Sequence, residues 1–525
     1  MSIRSNLMGF PPLRHMMRSA SRKRTETFRA RDPHAEQRAI FKELIKTASA
    51  TQFGKDYGFA RLADLPFEKA YQAFRGRIPI RSYQDLWTDY FAENLIESPD
   101  GKKLLRLDNA TWPGKIELYC ETSGTTAPTK YIPFSQRMFA ENRRAALDLI
   151  ACYLSAYPSS TITSGKILYM SGSTELTEME PGVHSGDMSA ITLRFSPWYF
   201  KPFVEPQAEV SALPWDQKLQ AMAELLLKDT GIRTISGVPP WIILLLKRCR
   251  EISGKPLDQV LTHLELIIHG GTSIKPYRDE FAELFGATPP NFIELLPASE
   301  AFMGFQCAGD DAMQLTPYYG TFFEFVRFEE LDEQGRPESH AQAIPLENVV
   351  AGQRYAVILN TCAGLWRYHI GDTIRFTGLS PHFIEFTGRD RFLDKLEEKV
   401  TQEEVERVIA DLNHSGNLGI REFFVGTDIP ERKHVWVLAS SSSCLSSQQL
   451  AHNIDFGLRL LNADYATFRH QGRIKSPEVI VVPEDLIYEW SRSVRGKLGG
   501  QSKIPHIDPT SDASMLRSLK EYIVT

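Results

Sequence analysis

The stretch from Ile116 to Tyr153 constrains the fold most. Ile116-Glu117-Leu118-Tyr119-Cys120 alternates and carries β-branched and aromatic residues, the pattern of a strand. It runs into Ser123-Gly124-Thr125-Thr126, then a proline-broken loop that ends at Lys130. Ser135 then caps a helical stretch that continues to Tyr153. Gly124 lets the backbone approach an anion closely. Backbone N–H groups and the hydroxyls of Ser123, Thr125 and Thr126 suit phosphate oxygens, and Lys130 adds a point charge. The same residues also suit an exposed polar turn. This is not a Walker A motif, which needs a glycine directly before the lysine and Ser or Thr after it. Here Thr129 and Tyr131 flank Lys130.

The same rhythm continues downstream. Lys166 to Met170 is a strand ending in Ser171-Gly172-Ser173, and Ala212 to Lys228 is helical. Thr234 to Val238 is a strand, Trp241 to Ile252 a buried helix, and Leu264 to His269 a strand running into Gly270-Gly271. Tyr277 to Gly286 is a helix and Asn291 to Leu296 a strand. Strands alternating with helices of these lengths predict an α/β fold with doubly wound, largely parallel sheets. In such sheets ligands sit beyond the C-terminal ends of strands. Three of those ends are polar: Ser123-Gly124-Thr125, Gly270-Gly271-Thr272 and Ala298-Ser299-Glu300. They are expected to face one pocket.

Helical patterns at 32–60, 67–75 and 82–94 precede this region, the last with Ser82 as its cap. From Gln314 to Phe386 strands follow one another with few helices, as in a β-rich subdomain. Thr387-Gly388-Arg389-Asp390-Arg391 is a polar break suited to a hinge. Beyond it, Thr401 and Glu404 form a capping-box pattern ahead of an amphipathic helix, the start of a small α+β domain. The expected division is a large domain over 1–388 and a small mobile one over 389–525.

The chain has 525 residues, more than one core usually organises. Its net charge of −5 argues against a nucleic-acid partner. No apolar run reaches the roughly 18 residues of a membrane helix. Cys120, Cys152, Cys249, Cys307, Cys362 and Cys444 are scattered, without metal-knuckle or redox spacing. Free thiols fit a reducing compartment, so the expected location is the cytoplasm. The arginine-rich start reads as a basic helix, not a secretory signal.

Further stretches carry possible chemistry. Leu296-Pro297-Ala298-Ser299-Glu300 puts a carboxylate after a strand, where it suits Mg²⁺ beside phosphates or a first-turn helix cap. Asp372, in Arg367-Tyr368-His369-Ile370-Gly371-Asp372, suits the two hydroxyls of a ribose or a salt bridge with Arg367. Gly496 to Pro505 is rich in glycine and lysine, and a lysine there could swing onto developing charge or simply be solvated. His184 lies in a glycine-flanked loop, either lining a pocket or merely exposed. No Ser/His/Asp order, HExxH or nucleophile elbow is present.

With these stretches in order, the chain resembles the Gretchen Hagen family of acyl acid amido synthetases, within the adenylate-forming superfamily. Ala48 to Phe59 resembles the family's early helix and loop. Ser123-Gly124-Thr125-Thr126 with Lys130 resembles its first nucleotide motif, Ala298-Ser299-Glu300 the second and Tyr368 to Asp372 the third. Glu398-Lys399-Val400-Thr401 and Gly500-Gln501-Ser502-Lys503-Ile504-Pro505 match C-terminal signatures. Leu296-Pro297 stands where the family usually has an aromatic. The resemblance implies ATP and Mg²⁺ as cofactors, and as partners a small carboxylic acid and an amino acid or other amine. It implies nucleotide contacts from Ser123, Gly124, Thr125, Thr126, Lys130, Gly271, Ala298, Ser299, Asp372 and Arg389, and metal binding by Glu300. Lys503 and Lys399 are the implied catalytic lysines, Lys399 preferred over Lys395 by the Glu-Lys-x-Thr match. His184, Trp198, Tyr199 and Phe200 are expected to line the acyl pocket. A monomer is expected.

Overall fold

The structure is a computed structural model. It describes the chain apart from residues 1–10, 98–102, 123–129, 171–175, 273, 275–276, 333–334, 390–391, 441–444 and 496–503, and single positions 197, 199, 212, 287, 394, 397, 399, 417, 484, 511 and 525.

The basic start is helix α1 (Pro11–Arg29). Its cations hold it down: Arg24 pairs with Asp148 at 2.5 Å, and Phe28 stacks on Phe305 at 5.3 Å. Helix α2 (Pro33–Ala48) follows, capped by Asp32, and buries Ile40, Phe41, Leu44 and Ile45. Those positions recur at helical spacing, so one face meets the core.

The opening strand of the sequence reading is β1 (Leu118–Thr122), paired antiparallel with β2 (Lys130–Pro133). Helix α3 (Gln136–Ala156) comes next, and Ser135 accepts a hydrogen bond from the Met138 amide at its start. After β3 (Lys166–Tyr169) come β4 (Thr177–Glu180) and β5 (Val183–Gly186). Strands β2-β1-β5-β4 form a separate four-stranded sheet.

The main sheet collects β3 and then β6 (Val204–Glu205). Helix α4 (Trp215–Lys228), β7 (Ile232–Gly237), helix α5 (Pro239–Ser253), β8 (Leu266–Gly270), helix α6 (Arg278–Phe285) and β9 (Asn291–Pro297) continue it. Strand β8 is buried along its whole length, as a parallel strand covered on both faces must be. Ile267 packs with Trp241 and Phe281 of α5 and α6 on one face. Leu266 and Ile268 pack with Leu149 and Tyr153 of α3 on the other.

After β9 the chain turns back at once. The Ala298 amide donates to the Ala301 carbonyl at 2.9 Å, and β10 (Phe302–Phe305) returns antiparallel. Without crossover helices the remaining strands are antiparallel: β11 (Met313–Leu315), β12 (Thr321–Arg327), β13 (Ile344–Pro345), β14 (Arg354–Thr361), β15 (Tyr368–Phe376) and β16 (Phe383–Arg389). The β-rich region therefore does not form a sheet of its own. It extends the α/β region into one 12-stranded sheet, ordered β13-β12-β14-β15-β16-β11-β10-β9-β8-β7-β3-β6.

The C-terminal part is a small α+β domain. Thr401 and Glu404 cap helix α7 (Gln402–Gly416) reciprocally, at 2.7 and 3.2 Å. Strands β17 (Ile420–Asp428) and β18 (Lys433–Ser440) pair antiparallel. Helix α8 (Ser447–Leu461) leads toward β19 (Glu478–Val482), which pairs parallel with β18. Helices α9 (Leu486–Arg495) and α10 (Ser514–Val524) close it. Among the described residues, ion pairs tie this domain to the rest. Glu403 makes a bidentate pair with Arg375 at 2.7 Å. Glu280 meets Arg421 at 3.2 Å, beside the Trp241 and Tyr488 rings 5.1 Å apart.

Candidate active site

Three segments meet around Glu300. The β9–β10 turn carries Glu300, which is only 8% exposed. Its Oε1 accepts a hydrogen bond from Tyr368 Oη at 3.3 Å. Tyr368 opens β15, and the chain around it is fixed by Arg81: the Arg81 amide donates to the Arg367 carbonyl, and the His369 amide donates to the Arg81 carbonyl, both at 2.8 Å. The second and third motifs thus touch. Ala298-Ser299-Glu300 is a tight turn between antiparallel strands, so the helix-cap reading of Glu300 does not apply.

Strand β1, which runs into the first motif, lies near Glu300. Burial pushes the Cys120 thiol of β1 well up, and the nearby Glu300 and Asp187 carboxylates add to the shift. The strand therefore leads toward Glu300. Residues 123–129, with Ser123, Gly124, Thr125 and Thr126, lie outside the described residues. The positions that bracket them, Thr122 and Lys130, are register partners in the β1–β2 ladder. Lys130 Nζ sits 5.5 Å from the Tyr83 ring centroid.

Asp372 lies four residues beyond Tyr368 and is 7% exposed. His369 lies within electrostatic reach of both Asp372 and Lys130. Burial pulls the His369 imidazole down to about 4; the Asp372 and Asp332 charges oppose this and the Lys130 charge adds to it. Gly371 holds φ +83°, a left-handed turn that re-aims the strand before Asp372, and a bulge follows between Asp372 and Ile374. The alternative partner for Asp372 is taken: Arg367 pairs with the buried Glu324 at 3.2 Å. Arg389 closes β16 as the register partner of Asp372.

Gly271 follows β8 at φ +87°, next to the end of β9. A Cβ on the preceding Gly270 would lie 2.3 Å from the Leu295 carbonyl, so the two strand ends approach closely because that position has no side chain. Ala298 uses its amide in the turn, and Ser299 is half-buried beside Glu300.

The acyl-pocket candidates are less uniform. His184 is not in a loop but in β5, opposite Leu118 of β1: Gly182 turns the β4–β5 hairpin, and Gly186 pairs with Cys120 in the parallel ladder. Its ring lies 5.9 Å from Phe195, and its Nδ1 has no hydrogen-bond partner among the described residues. Trp198 is 70% exposed and Phe200 44%, so neither is enclosed. Tyr199, Lys399 and Lys503 lie outside the described residues. Sequence reasoning missed Asp187, whose charge reaches Cys120; the signal was an acid at the end of β5, directly after Gly186. It also gave Tyr368 no role of its own, although the residue opens the third motif.

Among the described residues no cluster of three or more His, Cys, Asp or Glu could hold a metal. A single carboxylate such as Glu300 suits Mg²⁺, which takes one or two carboxylates and completes its shell with phosphates and water.

Solved structures share this architecture. The chain matches AtGH3.15 acyl acid amido synthetase in complex with 2,4-DB at TM-score 0.75 and 16% identity, over 96% of either chain. It matches 2-hydroxyisobutyryl-CoA ligase in the postadenylation state at TM-score 0.56 and 12% identity, over 92% of this chain and 91% of that one. The fold is that of the adenylate-forming enzymes. The GH3 family N-terminal, central and C-terminal domains match residues 23–235, 315–389 and 383–511. The chain belongs to the GH3 family. Indole-3-acetic acid-amido synthetase GH3.8 of Oryza sativa subsp. indica is 30% identical over 148 residues, 26% of this chain and 24% of that protein. Indole-3-acetic acid-amido synthetase GH3.15 of Arabidopsis thaliana is 32% identical over 117 residues, 20% and 19% of the two chains. These stretches span a quarter or less of the curated relatives' length.

Proposed function

We propose that this chain is an ATP-dependent ligase that joins a small carboxylic acid to an amine, an amino acid foremost. A carboxylate oxygen attacks the α-phosphorus of ATP, and the bond to the bridging oxygen breaks to release pyrophosphate. The amine nitrogen then attacks the carbonyl carbon of the acyl-adenylate, the bond to the AMP oxygen breaks, and the nitrogen loses a proton. A carboxylate resists nucleophiles until its oxygen is tied to a leaving group, so the first step sets up the second. The observation that carries this reading is the Tyr368–Glu300 hydrogen bond, which joins the second and third motifs near the strand leading into the first.

In this reading Ser123, Gly124, Thr125, Thr126 and Lys130 hold the phosphates. Gly271, Ala298 and Ser299 border the nucleotide, Asp372 accepts the ribose hydroxyls, and Arg389 stands across the ladder from it. Glu300 holds Mg²⁺, which offsets the charge between ATP and the incoming carboxylate. Lys503 reaches the reacting phosphate and Lys399 supports it from the hinge side. Residues 389–525 turn as a unit on 1–388, keeping water from the adenylate. His184 borders the acyl pocket, with Trp198, Tyr199 and Phe200 reaching it only after a rearrangement. The relatives that act on indole-3-acetic acid and the structure that binds 2,4-DB support these two acids as the first substrates to try. We read the protein as a cytoplasmic monomer.

The test is acid-dependent exchange of labelled pyrophosphate into ATP over a panel of acids, followed by addition of amino acids or coenzyme A. Exchange with AMP release on adding an amino acid is expected. No exchange with any acid overturns the reading, and release only with coenzyme A replaces it with a thioester ligase.

A further inference from the structure

The chain just beyond Lys503 is described from Ile504 onward, and it is tied to the small domain by an unusual residue. His506 is 4% exposed. Its Nδ1 lies 2.9 Å from Glu406 Oε1 of α7, and its Nε2 lies 3.2 Å from Glu422 Oε1 of β17. Both ring nitrogens face carboxylates, and only the imidazolium can donate from both. The ring also stacks on Phe423 at 4.0 Å and 29°. The backbone is fixed as well. The Val425 amide donates to the His506 carbonyl and the Asp508 amide donates to the Val425 carbonyl, both at 2.8 Å. Asp508 in turn accepts from the Thr510 and Leu516 amides, at the start of α10.

We propose that His506 is a positioning residue for acyl-adenylate formation: clamped as a cation between Glu406 and Glu422, it anchors residues 504–508, the stretch that follows Lys503 in the chain, to the small domain. This rests on the reading in which Lys503 acts on the phosphate. A lysine that must meet developing charge after a domain turn gains from a short, fixed root, because small misplacements cost large factors in rate. Glu422 also neighbours the buried Tyr277 of the large domain and Tyr488 of α9, so the anchor lies where the two domains meet. Burial pulls the imidazole down, but the hydrogen bonds and charges of Glu406 and Glu422 outweigh it and raise it to about 10. The cation therefore persists at any working pH.

The test uses the full chain as wild type, His506→Gln, His506→Arg, Lys503→Ala and the Lys503→Ala/His506→Gln double variant. Amide hydrogen exchange reads the anchor. In His506→Gln, the Val425 and Asp508 amides should lose at least about tenfold protection while β18 keeps its own. Pyrophosphate exchange reads the chemistry, with the acid that works best in the panel. His506→Gln should lower kcat at least about tenfold with KM for ATP within about twofold. His506→Arg, which can donate to both carboxylates, should recover most of the loss. The double variant should be no slower than Lys503→Ala, since a residue acting only through Lys503 has nothing left to act on. A further drop in the double variant, or wild-type kcat in His506→Gln, overturns the proposal. Should Gln at 506 unfold the small domain, Glu406→Gln replaces it, with the same expectations. Wild-type exchange in Lys503→Ala with loosened amides in His506→Gln refutes the lysine reading and leaves the anchor. Unchanged amides refute the anchor itself.

Discussion

Replacing Arg367 by Met should destabilise the large domain by about 3–5 kcal/mol, the cost of removing one partner from a buried ion pair. Glu324 is fully buried, and its carboxylate takes three donors: Tyr71 Oη and Asn360 Nδ2 at 3.0 Å and Arg367 Nε at 3.2 Å. Arg367 Nη1 also donates to the Ile78 and Arg75 carbonyls, at 2.5 and 3.1 Å. Methionine fills similar space but leaves the Glu324 charge without its counter-ion and two carbonyls without the Arg367 donor. It meets the same backbone, held at φ +45°, so the change in cost comes from the lost partner and not from new strain. Adding Glu324→Gln in the same chain removes the stranded charge and keeps an amide that Tyr71 can still donate to. It should return about 1–3 kcal/mol. Urea unfolding followed by tryptophan fluorescence measures both, because Trp366 is the adjacent residue and stacks on Phe53 at 5.8 Å and 17°. Arg367→Met within about 1 kcal/mol of wild type would refute the argument, as would a double variant no more stable than the single one.

Three further outcomes are expected. Asp372→Ala should slow pyrophosphate exchange at least about tenfold, as loss of a polar contact worth about 1.5–3 kcal/mol; wild-type rates would remove Asp372 from the site. Gly388→Ala should lower the melting temperature, because φ there is +92° and a Cβ would press on Gln402 at 3.1 Å; an unchanged melting curve would show that the strand relaxes freely. His506 should make stability pH-dependent. Its folded value of about 10 lies above the unfolded 6.5, so the contribution is complete below about 6.5 and is lost as pH rises through 10. Glu406, Glu422, Tyr277, Tyr488 and Glu280 face that cluster. The wild-type melting temperature should fall between pH 7 and 10, and His506→Gln should flatten that fall. Equal slopes would refute the assignment.

Much of the fold was legible because its signals are local. Ser135, Ser82 and the Thr401–Glu404 pair each cap the helix their side chains announce. Strand β8 reads as apolar throughout because both its faces are covered. What was not legible depends on pairing between distant residues. Strand β1 looks like a main-sheet strand in sequence, since alternation does not say which neighbour it pairs with. The single continuous sheet depends on β11 meeting β16, with Met313 opposite Ile384, and no local pattern encodes that register. Cys152 and Cys307 are far apart in sequence yet share one core cluster, where Arg29 Nη2 is 3.4 Å from the Cys307 Sγ. The site behaves the same way. The order of its motifs could be read, but the Tyr368–Glu300 contact exists only because β15 and the β9–β10 turn are folded against each other.

One strand ties the proposed chemistry to the proposed motion. Strand β15 begins with Tyr368 against Glu300 and continues to Asp372, whose register partner is Arg389 at the end of β16. Thr373 Oγ1 then donates to the Gly388 carbonyl at 3.1 Å, clipping the chain just before the hinge to the strand that holds Asp372. Three residues beyond Asp372, Arg375 makes its bidentate pair with Glu403 of α7 in the small domain. Burial raises the Glu403 carboxyl, but Arg375 and Arg354 together hold it below its ordinary value, so the pair stays ionised. A nucleotide held at Asp372 and a small domain held at Arg375 therefore pull on the same nine-residue strand. If the small domain turns after adenylation, the Glu403 pair must break or slide, and the strand that feels it carries Asp372, the residue we propose accepts the ribose hydroxyls. Arg375→Ala should thus change how the two half-reactions share the rate more than it changes the affinity for ATP. An equal effect on both half-reactions would mean that the strand is only a scaffold and that the coupling lies elsewhere.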